Sequence, residues 1–431
     1  MRSMNKIEFP HIGEVIYEKK LANGLQVAIL PKRDFNKTYV TFTTNYGSID
    51  NEFIPIGKKE KIHVPDGIAH FLEHKLFEKE DGDVFQNFSK QGASANAFTS
   101  FTRTAYLFST TQDVKQNLIT LLDFVQEPYF TEQTVEKEKG IIGQEIRMYD
   151  DDPDWRVYFG VIQNMYHHHP VKIDIAGTEQ SIAQITKDLL YVCYETFYHP
   201  SNMLLFIVGP VDEQEMMDII EENQAKKTFK PAEPISRFFK EEPAGVVEKK
   251  QVIPMAVKTP KCVVGFKENQ ANRFGEALIK HEIAVNMLLD LMFGQSSANY
   301  EKLYDQGLID SSFFYDYTEE PSFGFSMIGS NTPDAEKLAD ALYQMVADFR
   351  GQTIDEEEFM RIKRKHFGSV LRSLNSLEFI ANEYTRYQFN GTNLFNVTKI
   401  IESITRDDLD SVLKEHFQDS SFTVCEIQPQ S

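Results

Sequence analysis

Two histidines four residues apart, with a glutamate directly before the second, form the segment His70-Phe71-Leu72-Glu73-His74. Positions i, i+3 and i+4 of an α-helix share one face, so these three polar side chains can meet in one pocket if the segment is helical. A turn or cap signal precedes the segment, and apolar residues then recur at helical spacing: Pro65-Asp66-Gly67, Ile68, Leu72 and Leu76. The sequence therefore predicts a helix that begins near residue 66.

Two imidazoles and a carboxylate on one helix face are the groups that a catalytic zinc site requires from a single helix. The order of the letters is the inverted H-x-x-E-H, because Glu73 precedes His74 instead of following His70. Ordinary surface or core histidines are the alternative interpretation. A third protein ligand would distinguish a zinc site from ordinary histidines, since zinc needs one.

The best source of a third ligand is a second helical segment, predicted over residues 131 to 148. Thr131 can serve as its N-cap, and glutamates fill its first turns, where the helix dipole favours negative charge. Glu138 and Glu145 are seven residues, or two turns, apart and therefore share a face. One of the two can bind a metal while the other stays near the site. Solvated surface charges are the alternative, because that is the usual role of helical glutamates.

Together these motifs resemble the pitrilysin/insulinase family of inverted-motif zinc peptidases. The likeness is to its small two-domain bacterial branch, which is similar to the beta subunit of the processing peptidase. In that family the motif helix is followed by a helix with two glutamates seven apart, and here Glu145 lies 71 residues after His74. Four other stretches match: Leu21-Ala22-Asn23-Gly24-Leu25, Gly67-Ile68-Ala69, Asn96-Ala97-Phe98-Thr99 and Tyr198-His199-Pro200-Ser201-Asn202-Met203.

The resemblance implies one Zn²⁺ per chain, with His70, His74 and Glu145 as ligands. Glu73 is then the general base that takes a proton from water, and Glu138 is a carboxylate behind the ligands. The expected activity is a zinc-dependent endopeptidase that hydrolyses peptides or unfolded segments without a covalent intermediate. The alternative function is a noncatalytic structural or peptide-binding subunit of a peptidase complex.

Residues 94 to 110 alternate in polarity, are rich in Phe, Thr and Tyr, and predict a strand or part of a hairpin. The pattern alone fits an internal strand equally well. The resemblance implies an edge strand beside the zinc, where an extended peptide can add by main-chain hydrogen bonds. The expected substrate-binding residues are Ser94, Ala95, Asn96, Ala97 and Phe98.

Composition limits the classes of binding partner and the cellular compartment that we expect for this chain. The formal net charge is −20, which argues against binding to nucleic acid or to anionic membrane surfaces. The three cysteines lack paired spacing, and the sequence shows neither a signal peptide nor an apolar run long enough to cross a membrane. The expected setting is the cytoplasm.

A polar stretch from 226 to 250 with three prolines is predicted to be a linker. It separates an N-terminal zinc-bearing domain, residues 1–225, from a C-terminal homologous domain without zinc ligands, residues 251–431. Both halves mix strands and amphipathic helices, so the predicted class is α+β. We expect two homologous mixed α/β-sandwich-like domains, each an antiparallel-rich sheet covered by helices, and the resemblance implies that they form a clam-shell peptide chamber.

The second half predicts that this chain works with a partner. Laying Asn286 to Phe293 over His70 to Phe77 places Asn286, Leu289 and Asp290 where the zinc set would be. Family members supply a substrate-binding Arg and Tyr after this helix, whereas this chain has Tyr304 and Asp310 in that stretch. The expected assembly is a homo-oligomer or hetero-oligomer, a dimer in the simplest case, in which a zinc-lacking homologue completes the site.

Overall fold

The computed structural model describes residues 4–80 and 82–430. The strands are β1 (Asn5–Phe9), β2 (Glu14–Lys20), β3 (Gln26–Pro31), β4 (Thr38–Thr44), β5 (Glu52–Ile54), β6 (Ile62–His63), β7 (Glu78–Lys79), β8 (Gly82–Asp83), β9 (Ser94–Thr99), β10 (Thr104–Thr110), β11 (Met203–Gly209), β12 (Ser236–Arg237), β13 (Lys250–Met255), β14 (Lys261–Lys267), β15 (Phe314–Glu320), β16 (Phe323–Asn331) and β17 (Phe422–Pro429).

The helices are α1 (Ile68–Phe77), α2 (Phe85–Lys90), α3 (Val114–Gln126), α4 (Glu132–Asp150), α5 (Pro153–Met165), α6 (Glu179–Ile182), α7 (Lys187–Phe197), α8 (Glu213–Ala225), α9 (Glu276–Phe293), α10 (Ala298–Asp305), α11 (Ala335–Arg350), α12 (Glu356–Ser373), α13 (Leu377–Phe389), α14 (Val397–Ser403) and α15 (Arg406–His416). Helix α1 begins two residues after the predicted start. Helix α4 covers the predicted segment 131–148 to within two residues at each end.

The chain divides into two compact units. The first unit comprises Met1–Ile146, Asp174–Phe239 and Ser373–Phe389, and the second comprises Arg147–Ile173, Lys240–Arg372 and Asn390–Ser431. The predicted domains, 1–225 and 251–431, keep each half of the sequence whole. The structure differs from that division because helix α5 belongs to the second unit and helix α13 to the first.

The first unit is built on a seven-stranded sheet of order β1-β2-β3-β11-β4-β10-β9, antiparallel except between β3 and β11. All seven residues of β4 and of β11 are buried, as expected for central strands that are covered on both faces. Leu205 and Ile207 join a hydrophobic cluster with α1 and α3. Helix α13 packs on β4 and β11, and its Tyr384 stacks on Phe206, which alternates with Leu205 and Ile207 along β11.

The second unit repeats this arrangement around a five-stranded sheet of order β13-β17-β14-β16-β15. Helices α9 and α11 share a hydrophobic cluster with one set of alternating strand residues, and helix α5 packs on β13, β14 and β17. Gly160 of α5 lies so close to β17 that an added Cβ would come within 2.5 Å of Cys425 Sγ. The absence of a side chain at this position permits the close packing.

Both units are helix-covered mixed sheets, which confirms the α+β class and the two related domains. The order α1, α2, β9, β10, α3, α4, α5 in the first half recurs as α9, α10, β15, β16, α11, α12, α13 in the second. The internal repeat is therefore visible at the level of whole elements. In the described part of the chain, no helix combines the length and hydropathy that a membrane crossing needs.

Candidate zinc peptidase site

Helix α1 is positioned by a close backbone approach at its first turn. Gly67, directly before the helix, has φ 86°, and an added Cβ there would come within 2.3 Å of the carbonyl oxygen of Ala176. Glycine therefore meets both a left-handed backbone conformation and a contact that excludes a side chain. The helix that follows is buried along almost its whole length, so its polar face is fixed in position.

Helix α4 brings Glu145 to that face. The Oε1 atom of Glu145 lies 3.6 Å from His70 Nε2, and its Oε2 atom lies 3.6 Å from His74 Nε2. The two imidazole rings are 4.6 Å apart between centroids. The structure thus brings together the three residues predicted as metal ligands.

Glu138, two helical turns before Glu145, contacts Nδ1 of His74, the ring nitrogen that does not face Glu145. Its Oε1 atom lies 3.1 Å from His74 Nδ1, and its side chain is 10% exposed. A carboxylate at this distance accepts the Nδ1 proton, and in the neutral form of His74 the lone pair is then on Nε2, which faces Glu145. Of the two glutamates that the sequence left open as ligands, Glu145 faces both histidines, and Glu138 orients one of them.

Burial sets the protonation of these groups. Burial, with a smaller contribution from the charge of His74, lowers the pKa of His70 to about 3, so His70 is neutral near pH 7. Burial raises the pKa of Glu73 to about 7, against the opposing effects of His74 and of a hydrogen bond from Thr99. For His74, burial would lower the pKa, but the hydrogen bond to Glu138 and the neighbouring carboxylates outweigh it and raise the pKa.

The three donors fit a zinc ion. One donor atom from each of His70, His74 and Glu145 lies within 4.8 Å of the others, and among the described residues no other group of this kind occurs. Zinc bonds of about 2.0–2.2 Å in a tetrahedral site place donors about 3.3–3.6 Å apart, close to the measured 3.6 Å separations. A neutral His70 and a His74 with its Nε2 lone pair free are the forms that bind metal.

Strand β9 is the last strand of its sheet, next to α1, as the family resemblance implied. It pairs with β10 on one side, and no strand of the described chain pairs with its other side. Ser94 and Asn96 are exposed, and Ala95 and Ala97 pack against the hydrophobic cluster of the first unit. Phe98 is half-buried, with the Arg103 guanidinium 6.0 Å from its ring centroid.

Sequence analysis did not single out Thr99 as a site residue. Its hydroxyl donates a hydrogen bond of 2.8 Å to Glu73 Oε2. A signal was available, because side chains alternate along a strand and Thr99 has the parity of the inward-facing Ala95 and Ala97. Strand alternation alone would have placed the Thr99 hydroxyl on the side of β9 that faces helix α1.

The corresponding place in the second unit holds an ion pair. Asp290, aligned above with His74, is buried and lies 2.6 Å from Lys365 Nζ and 3.3 Å from His366 Nε2. The Tyr315 hydroxyl donates to the same carboxylate at 2.7 Å. Burial alone would raise the pKa of Asp290, but hydrogen bonds from His366, Lys365 and Tyr315 lower it. The Lys365 ammonium and these hydrogen bonds therefore favour the ionised carboxylate.

Tyr304 and Asp310, which occupy the stretch where family members supply an Arg and a Tyr, lie on and after helix α10. Tyr304 is on the helix and is 60% exposed. The Asp310 carboxylate accepts hydrogen bonds from the backbone N–H and the hydroxyl of Ser312, which closes a local turn. Asp310 thus has a structural partner of its own.

The fold has two related domains with one candidate metal site among the described residues, and comparisons with known proteins give the family. Residues 54–179 match the family described as Insulinase (Peptidase family M16), and residues 184–365 match the Peptidase M16 inactive domain. The chain is 57% identical over 425 residues, 99% of either protein, to an uncharacterized zinc protease, YmfH, of Bacillus subtilis strain 168. This chain belongs to peptidase family M16, the pitrilysin/insulinase family.

Two further relatives are consistent with that assignment. The chain is 23% identical over 428 residues to the zinc protease PqqE of Helicobacter pylori, covering 95% of this chain and 92% of that protein. A crystal structure of an M16-like peptidase from Alicyclobacillus acidocaldarius is similar with a TM-score of 0.93 and 40% identity, over 100% of this chain and 99% of that one. YmfH and PqqE are described as zinc proteases and the third protein as an M16-like peptidase, and the fold of the third is shared over the whole chain.

Proposed function

We propose that this chain is a zinc-dependent endopeptidase that hydrolyses peptides or unfolded segments. The observation that carries the proposal is the convergence of His70, His74 and Glu145 around one point, with Glu73 on the same helix face. Zinc held there supplies a Lewis acid for a peptide carbonyl and lowers the pKa of water toward about 7.

The chain's own residues bind the ion, orient a ligand and transfer the proton. His70, His74 and Glu145 would hold the ion, and Glu138 fixes the ring of His74 through its Nδ1 proton. Glu73 is 8% exposed, and burial favours its uptake of a proton. It would accept the proton of the attacking water and deliver it to the leaving amine, which needs no covalent intermediate.

Strand β9 supplies a place for the substrate. Its unpaired side can accept an extended peptide by main-chain hydrogen bonds, with Ser94, Ala95, Asn96, Ala97 and Phe98 as the contacting residues. Recognition through the main chain is tolerant of sequence, so we expect loose specificity. A folded domain cannot add as a strand, which favours peptides and unfolded segments.

A noncatalytic subunit is the second candidate function. The match of residues 184–365 to a domain described as inactive is compatible with it. That stretch excludes His70 to His74, which lie in the matched insulinase segment. A subunit without chemistry has no need for three donors at metal-binding distances with an orienting carboxylate, and the catalytic proposal accounts for all four.

We further propose that the active form is an oligomer, with this chain as its zinc subunit and a zinc-lacking homologue as its partner. Lys365 is paired with Asp290, and Asp310 accepts hydrogen bonds from Ser312. Neither the place equivalent to the zinc site nor the following turn therefore offers a free lysine or arginine for a substrate carbonyl. A reduced, cytoplasmic setting remains part of the proposal, and the three cysteines are free thiols buried in the protein.

Purification from the native host tests this function. The chain isolated under mild conditions, with any bound homologue, is expected to cleave unstructured peptides, and the chain produced alone is expected to cleave the same peptides much more slowly. Equal rates would contradict the need for a partner. No cleavage by the native preparation would contradict the peptidase proposal itself.

A further inference from the structure

Glu73 depends on a single neighbour for its orientation. Among the described residues, the Thr99 hydroxyl makes the one hydrogen bond to the Glu73 carboxylate, at 2.8 Å to Oε2. The Glu73 side chain is itself buried. A glutamate side chain has several rotatable bonds, so a fixed donor strongly limits the positions that its second oxygen can take.

The Thr99 hydroxyl has a second polar neighbour on the adjacent strand. Thr99 Oγ1 also lies 3.3 Å from Thr104 Oγ1, its cross-strand neighbour on β10. The Thr104 hydroxyl donates to the carbonyl oxygen of Tyr46 at 2.9 Å, in a fully buried position. Thr99 has one hydroxyl proton, and the shorter contact, to the Glu73 carboxylate, is the stronger acceptor for it, so the 3.3 Å contact with Thr104 is secondary.

Thr99 is also the last residue of β9, the strand to which a peptide is proposed to add. The backbone that would pair with substrate thus carries the hydroxyl that holds the base. A peptide paired along β9 would restrict the motion of Thr99, and through it the motion of Glu73.

We propose that Thr99 is a positioning residue that aims Glu73 at the attacking water and links its orientation to substrate binding on β9. This inference rests on the proposed function, in which Glu73 is the general base. One oxygen of Glu73 is held by Thr99, and the other stays available to accept a proton. Thr99 would act through Glu73 and not on the reacting water directly.

Thr99→Val, which replaces the hydroxyl with a methyl group of similar shape, tests the proposal. In the preparation purified from the native host, kcat for an unstructured peptide is expected to fall about 10- to 100-fold, the effect of losing a hydrogen bond to a charged group. KM is expected to stay within about twofold, and the zinc content is expected to be unchanged. Thr99→Ser, which keeps the donor, is expected to retain most of the wild-type kcat.

Thr110→Val is the matched control, because the Thr110 hydroxyl is buried on the neighbouring strand and bonds to the Gly92 and Gln112 carbonyls. It is expected to leave kcat unchanged. A Thr99→Val enzyme with wild-type kcat, a loss confined to KM or zinc, or a Thr99→Ser enzyme as slow as Thr99→Val would each overturn the positioning role. Wild-type turnover in a Glu73→Gln enzyme would instead overturn the function on which the inference rests.

Discussion

Replacing Glu73 with glutamine is expected to lower the rate of peptide hydrolysis by about 10²- to 10⁴-fold, the usual contribution of a general base. Glutamine keeps the size of the side chain and can still contact the Thr99 hydroxyl, but it cannot accept a proton from water. Glu73 is not one of the three converging donors, so the variant is expected to bind one zinc per chain. The two measurements are kcat on an unstructured peptide and metal content of the same sample.

Glu136→Gln provides a control for the loss of a carboxylate. Glu136 is on α4, the helix that carries Glu145, but its side chain is 69% exposed and pairs with Lys139 at the surface. This variant is expected to keep the wild-type rate. Full activity in Glu73→Gln would refute the role of Glu73, and loss of zinc from that variant would show that the residue supports the metal instead.

Cutting the chain in its linker is expected to leave the N-terminal fragment, residues 1–231, unable to fold alone. The first unit needs α13, which lies at 377–389, to cover β4 and β11. Without it, Leu204, Phe206 and Val208, all buried in the intact chain, would lose their cover. At about 1.5–3 kcal/mol per large apolar side chain, this exposure removes on the order of 5–9 kcal/mol, comparable to the whole stability of a domain.

The C-terminal fragment, residues 232–431, is expected to fail for the same reason, because it lacks α5. Circular dichroism and thermal unfolding of each fragment, alone and after co-expression, measure the effect. Co-expressed fragments are expected to form a complex with cooperative unfolding, since Pro231 to Pro234 is exposed and a break there disturbs little of either unit. Cooperative unfolding of residues 1–231 alone would contradict the assignment of α13 to the first unit and of α5 to the second.

The candidate site was largely predictable because its information is local. The spacing of His70, Glu73 and His74 fixes a helix face, and the spacing of Glu138 and Glu145 fixes another. The choice between the two glutamates as ligand needed the resemblance, since both lie on one face of α4. The role of Thr99 was within reach of strand alternation, although a threonine near the end of a strand has many ordinary explanations.

The exchange of α5 and α13 could not be predicted, because an apolar helix face shows that it is buried and not which sheet covers it. Helix α5 follows α4 and helix α13 follows α12, so chain order alone would place each with its own half. A glycine at position 160 within α5 indicates close packing, but only the structure shows that it approaches the Sγ atom of Cys425. The ion pair of Asp290 likewise depends on Lys365, which is 75 residues away in the sequence.

The central claim is that His70, His74 and Glu145 hold a catalytic zinc, and metal analysis combined with chelation tests it most directly. The native preparation is expected to contain one zinc per copy of this chain, to lose peptide cleavage with a zinc chelator, and to recover it when zinc is returned. Glu145→Gln is expected to lose the metal. A chain that contains no zinc, or cleavage that persists in the presence of the chelator, would contradict the account.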